Sequence, residues 1–399
     1  MPHHRFWQST LLGLAITATV SAQGPVSIGT RYVEWRNSTG AGATQLSSWI
    51  HYPAAVAGVD APILPRTGGW PVIVFLHGYG AGAVLYSQLA DAWVQRGFVV
   101  VLSDTSLFDW SQQPLDGIAL HSAVLAANND AFGPFANAFA PDRIAIAGHS
   151  MGGGNTATVL AQNPGYQCGF ALAPALPNDG SPDMVEVPLG VLAGQGDWIT
   201  PPALHAEPYY DAIGTAAPLK AYHLLDTTAD HANIVSMFGG PACPAFAHAV
   251  EVSTSFFNHC LGLDAFALEQ VCGDSVATKP IVVSHEFVAT KPQMWLDENP
   301  TLGATATLSI AAQPGLAAIA AASSLGPAVP TEWGALLLDP VTSFVAFVGP
   351  VGANSRLDVG ISIPDDPAFL NMPLALQGLG PALAFDYQVS NAAFVHVTD

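Results

Sequence analysis

The sequence predicts an α/β fold, a mostly parallel central sheet with helices on both faces, followed by a smaller all-β module. Three observations carry that expectation. Short, continuous apolar runs rich in Val and Ile alternate with helix-length segments up to about residue 275. Those runs are apolar throughout, as strands buried on both faces must be. Beyond residue 275 the helical segments stop, and short strand-like pieces separated by Gly, Pro, Asn and Asp replace them.

In chain order, residues 1–22 read as a signal peptide: His3, His4 and Arg5 open it, residues 11–20 form a short apolar stretch, and Val20-Ser21-Ala22 suits cleavage. The mature chain is then expected outside the cytoplasm, secreted or at the cell surface or periplasm. The apolar stretch is shorter than the roughly 20 residues a membrane span needs. Residues 26–35 and 45–52 read as two strands joined by a turn-rich segment, with a Pro/Gly loop over 53–71. Strands are expected at 72–76, 98–102, 143–147, 170–172, 189–192 and 222–225, and helices at 86–95, 117–128 and 245–260. These make residues 23–275 one domain. Residues 276–399 form the β-rich, sandwich-like module, with strands at 306–311, 335–338, 343–348, 357–363 and 384–389.

Half of the residues are hydrophobic and only 10% are charged, so the surface relies on neutral polar groups. The net charge of −20, from 30 acidic and 10 basic residues without a basic cluster, excludes nucleic acid as a partner. No later segment suits integral membrane contact. Four cysteines, Cys168, Cys243, Cys260 and Cys272, suggest two disulfides in an oxidising compartment. Three pairings are possible, and Cys260 with Cys272 closes the shortest natural loop after the last helix.

Three segments converge on one chemistry. Gly148-His149-Ser150-Met151-Gly152 stands between an expected strand and an expected helix. Such a turn must be tight, so small residues flank the serine and its hydroxyl stands clear of the sheet. Leu76-His77-Gly78-Tyr79-Gly80 ends an earlier strand. A carbonyl under attack becomes an oxyanion and needs two preorganised donors; the N–H groups of Met151 and Tyr79 are the candidates. A serine also needs a neutral imidazole, held in one tautomer by a carboxylate. Downstream of Ser150, Asp197 follows a strand in Gly194-Gln195-Gly196-Asp197, ahead of Asp179, Asp183 and Asp211 as candidate acid. His231 lies just past the last core strand, ahead of His205, His223 and His248 as candidate base.

These motifs give residues 26–262 a name by resemblance. His77-Gly78-Tyr79-Gly80-Ala81, Gly148-His149-Ser150-Met151-Gly152-Gly153-Gly154, Gly196-Asp197 with Ile199, and Ala229-Asp230-His231 resemble the secreted polyesterase, cutinase and lipase group of α/β-hydrolases. Dienelactone hydrolases and chlorophyllases are more distant relatives. The resemblance implies an α/β-hydrolase fold and a serine hydrolase cleaving carboxylic esters through Ser150, His231 and Asp197. Tyr79 and Met151 then form the oxyanion hole, and no cofactor or metal takes part. The substrate is a neutral ester, small or polymeric. Polyester hydrolases of the group often carry a tryptophan wall after the strand that follows the nucleophile helix. Here that loop reads Ala173-Pro174-Ala175-Leu176-Pro177, and Trp198, beside the acid, joins Tyr79 as a candidate substrate contact. The alternatives are a small-ester carboxylesterase of dienelactone-hydrolase type, a cofactor-free haloperoxidase, and a non-catalytic surface or adhesion protein with a degenerate hydrolase domain. The module receives no ligand from the sequence. The segment 174–187 is rich in Pro, Gly and Asp, so no helical lid is expected over the serine.

Overall fold

The computed structural model describes residues 26–37, 40, 43–163, 165–237, 243–383 and 387–399. The expected signal peptide and cleavage site lie outside the described residues.

β1 (Ser27–Arg36) and β2 (Gln45–Ala54) form an antiparallel hairpin, and the short β3 (Gly58–Val59) pairs beside β1. Then follow β4 (Trp70–Leu76), α1 (Ser87–Val94), β5 (Val99–Ser103), α2 (Gln112–Asn129), β6 (Phe139–His149), α3 (Met151–Gln162) and β7 (Gly169–Leu172). Next come β8 (Leu189–Gly194), α4 (Ala206–Ala212), β9 (Leu219–Leu225) and α5 (Pro244–Cys260). The short α6 (Glu269–Cys272) and α7 (Asp274–Ala277) lead into β10 (Val282–Ala289).

These strands make one sheet in the order β10-β9-β8-β7-β6-β4-β5-β2-β1-β3. The six from β9 to β5 run parallel, because crossover segments return the chain to the same end of the sheet. Alternation along β4 explains its unbroken apolarity. Ile73 and Phe75 pack with Trp93, Phe98, Phe256 and Phe257 on the face that α1 and α5 cover. Val72, Val74 and Leu76 pack with Leu120, Val159 and Tyr209 on the other. The C-termini of these six parallel strands therefore lie at one edge, where their connecting loops collect.

β10 falls in the stretch that the sequence assigns to the module, yet it closes the main sheet antiparallel to β9, pairing His285 with His223. An unpaired β9 edge takes up the first strand that follows. The rest comprises β11 (Gln293–Leu296), β12 (Thr305–Ala311), β13 (Gly315–Ala322), β14 (Leu325–Thr331), β15 (Gly334–Leu338), β16 (Phe344–Val351), β17 (Arg356–Ser362), β18 (Pro373–Pro381) and β19 (Tyr387–His396). A sheet of order β11-β12-β17 faces one of order β16-β13-β18-β19, with β14 and β15 as a separate hairpin. Met294, Leu308 and Ile310 of the first share an apolar cluster with Ile319, Leu376 and Val395 of the second. Trp295 and Ala311 instead join the core cluster under α5, which seats these sheets on the α/β part. Among the described residues no helix is long and apolar enough to cross a membrane.

The cysteines depart from expectation: all four are free thiols. Cys272 Sγ donates to the Leu268 carbonyl, one turn back. Cys260 faces Cys168 rather than Cys272, and burial followed by that neighbour pushes the Cys260 thiol well up. The short sequence separation of Cys260 and Cys272 says nothing about where α5 and α6 aim their side chains.

Candidate active site

Ser150 sits between β6 and α3 with φ 56° and ψ −117°, a left-handed conformation that costs a non-glycine residue energy and recurs at functional turns. Neighbouring backbones enforce it. A Cβ on Gly148 would strike the Gly152 carbonyl, and one on Gly152 would strike that of Leu76. The Ser150 N–H donates to Leu172 O at 3.1 Å, and its carbonyl accepts from Gly154 and Ala175. Met151 opens α3, so its N–H has no acceptor within the helix and adds positive dipole character beside the serine.

Asp197 and His231 lie on adjacent loops, past β8 and β9, laced by the Gly196 N–H donating to Ala229 O at 2.9 Å. His231 Nδ1 donates to Asp197 Oδ2 at 2.7 Å. Thr200 Oγ1 reaches the same oxygen at 2.8 Å, and the N–H groups of Ile199 and Thr200 donate to Oδ1 at 2.9 and 2.8 Å. Burial alone would raise the Asp197 pKa. The hydrogen bond and charge of His231 and the Thr200 donors outweigh it, and the carboxyl stays below its ordinary value. With Nδ1 committed to the carboxylate, Nε2 is the basic nitrogen of His231.

A second histidine, His149, ties these pieces together. Its Nε2 donates to the His231 carbonyl at 2.8 Å, and its ring lies 4.5 Å from that of His231 between centroids. The Gly78 N–H donates to Tyr86 Oη at 2.8 Å, and Tyr86 Oη donates in turn to His149 Nδ1 at 3.0 Å. Burial, then the neighbouring His231, pushes the His149 pKa down to about 3, so the ring is neutral and keeps one tautomer. The Gly78–Tyr79 loop, the serine turn and the histidine loop thus share one buried hydrogen-bond chain.

The other candidates are occupied elsewhere. Asp179 accepts from Thr158 Oγ1 and the Ser181 N–H, and Asp211 sits on α4. His205 accepts from the Leu176 N–H. His223 spends its nitrogens on Val271 O and His248. Among the described residues no three side chains are grouped to hold a metal ion.

Tyr79 is 64% exposed and Trp198 81% exposed. The sequence reading missed two further aromatics on the loop after β5. Phe108 meets Tyr79 edge-on at 5.4 Å, and the Trp110 ring lies 3.3 Å from where a Cβ of Gly154 would stand. Trp110 also fixes the turn, since its carbonyl accepts from Asn155 Nδ2 at 3.2 Å. Their only signal was aromatic density in a loop at a strand's C-terminal end. The segment 174–187 carries a single 3-10 turn, Ser181–Met184.

A family model described as PET hydrolase-like matches residues 15–239. The chain belongs to the PET hydrolase-like family. Cutinase 2 of Thermobifida cellulosilytica is 32% identical over 157 residues, covering 37% of this chain and 59% of that protein. Cutinase 1 of the same organism is 26% identical over 206 residues, covering 52% and 72%. Bis(hydroxyethyl) terephthalate hydrolase of Streptomyces coelicolor is 28% identical over 202 residues, covering 50% and 59%. The chain thus spans about three fifths of the length of the first of these relatives.

Proposed function

We propose that this PET hydrolase-like protein is an exported serine hydrolase of neutral carboxylic esters, including polyesters. The observation that carries this reading is the strained Ser150 turn at the sheet edge where His231 is paired to Asp197. In the proposed reaction, Ser150 Oγ attacks the ester carbonyl carbon and its proton passes to His231 Nε2. Asp197 holds the imidazole and stabilises its charged form. The N–H groups of Met151 and Tyr79 receive the oxyanion, each worth about 10²–10³ in rate where one such donor has been removed from other enzymes. Collapse of the tetrahedral adduct expels the alcohol, which takes the proton from His231 and leaves an acyl group on Ser150. A water molecule, deprotonated by the same imidazole, then releases the acid. Tyr79, Phe108, Trp110 and Trp198 offer exposed apolar walls without a helical cover, which suits bulky or polymeric esters.

Ser150→Ala should fold normally and lose nearly all turnover of a short-chain chromogenic ester, together with labelling by a phosphonate ester. Turnover surviving within about tenfold of wild type would place the nucleophile elsewhere.

A further inference from the structure

Between the two facing sheets of the C-terminal part lies an apolar cleft of about 330 Å³. Leu308, Ile319 and Leu376 form its buried floor; Phe347, Val359, Ile361 and Leu374 are its half-buried walls. Its mouth, between strands β16 and β17 at the edges of their sheets, is flanked by Phe344, Ala346 and Gly360. None of these side chains carries a nitrogen or oxygen atom. The space equals about ten water-sized groups, enough for a run of methylenes.

The cleft is shaped by a bulge. β13 pairs Ile319 with Phe347 and then Ala320 with Val345, leaving Ala346 without a partner. In a regular strand Phe344 and Phe347, three residues apart, face opposite sides. The extra residue turns both rings toward the cleft, as bulges beside binding sites do. Phe344 remains 63% exposed at the mouth, and Val345 and Val348 on the same edge strand are exposed too. An edge strand with such a surface invites aggregation unless it serves as a contact.

We propose that this cleft is a second binding site, distinct from the Ser150 region, for an uncharged hydrocarbon segment of a solid polyester. Charge and shape select this occupant. Beyond residue 275 the only cations are Lys279, Lys291 and Arg356, and none lines the cleft, so anionic lipid or polysaccharide finds no counter-charge. A lining without side-chain donors or acceptors gives a sugar nothing to bond. A cleft of about 330 Å³ has room for a flexible chain. The polymer's identity rests on the proposed ester hydrolysis, whereas the cleft and its apolar preference do not. Bound there, the module holds the enzyme on the solid while the aromatic cleft near Ser150 works along it.

The test measures adsorption of the full chain carrying Ser150→Ala to polycaprolactone particles, by depletion from the supernatant. Phe344→Ser removes one lip, and Ala346→Lys sets an ammonium in the mouth; both positions are exposed, and folding is checked by melting. Each change should weaken adsorption by about tenfold while the same changes in the Ser150 protein leave soluble-ester turnover unaltered. Unchanged adsorption in both variants would overturn the site. So would equal adsorption to cellulose or to anionic vesicles, or a wild-type dimer that both variants dissociate, which would make a second copy the occupant. Failure of the hydrolase reading looks different: a wild-type chain that adsorbs in this variant-sensitive way but cleaves no soluble ester.

Discussion

Replacing Tyr86 by Phe removes one oxygen atom from the centre of the candidate site and leaves the ring in place. The ring packs on Phe75 at 4.7 Å and is fully buried, so the hydrophobic contribution is unchanged. The hydroxyl both accepts from the Gly78 N–H and donates to His149 Nδ1. Its loss orphans a donor and an acceptor together. A buried polar group left unpaired costs about 1–3 kcal/mol. The two orphans stand on different loops, and rejoining them requires backbone movement, so about 2–4 kcal/mol of stability should go. The functional effect follows the same path. Gly78 precedes Tyr79, whose N–H is a proposed oxyanion donor, and His149 supports the His231 carbonyl. Displacing a donor should cost less than deleting one, about tenfold in kcat, with KM little changed because the interaction matters in the transition state. Urea unfolding followed by tryptophan fluorescence and kinetics on a soluble chromogenic ester read the two effects. Stability within about 0.5 kcal/mol of wild type and kcat within about twofold would refute the chain of hydrogen bonds as the brace of the site.

Acid should destabilise the fold well above the carboxylate range. Burial is the main cause that lowers His149 and His223 to about 3 and His248 and His259 to about 4. Their folded values lie below the unfolded value near 6.5, so the unfolded chain binds more protons as pH falls from about 6.5 toward 4 and stability drops there, by up to about 1.4 kcal/mol per histidine per pH unit. Denaturant midpoints that stay flat between pH 7 and 5 would contradict this. A chain ending at residue 290 should resist denaturant better than one ending at 279, because the shorter one strips β10 from the β9 edge; equal midpoints would show that β10 adds nothing. With no helical cover over 174–187, tributyrin hydrolysis should rise smoothly across its solubility limit, and a sharp jump once droplets form would reveal a mobile lid.

Local pattern was enough for the elements that position the candidate site. Continuous Val/Ile runs mark strands buried on both faces, and chain order with strand-end placement put Ser150, Asp197 and His231 forward as candidates, of which Ser150 lies in a strained turn and His231 is paired to Asp197. Gly148 and Gly152 were legible for the same reason: close backbone approach leaves a residue type as its trace. The alanine-rich stretch that became β13 left no such mark, since alanine favours helices and only its neighbours β16 and β18 make it a strand. Other outcomes also depended on partners far along the chain. β10 joined the main sheet because β9 offered an open edge, and Cys260 came to face Cys168 because α5 packs on β7. His149 and Tyr86, 63 residues apart, share a proton bridge that no spacing rule announces. Phe108 came to lie against Tyr79 and Trp110 against Gly154 through the path of one loop, and the module's cleft exists only where two sheets fail to close. Periodicity is written within a few residues and survives in the sequence; contact between distant segments is written only in the packed chain.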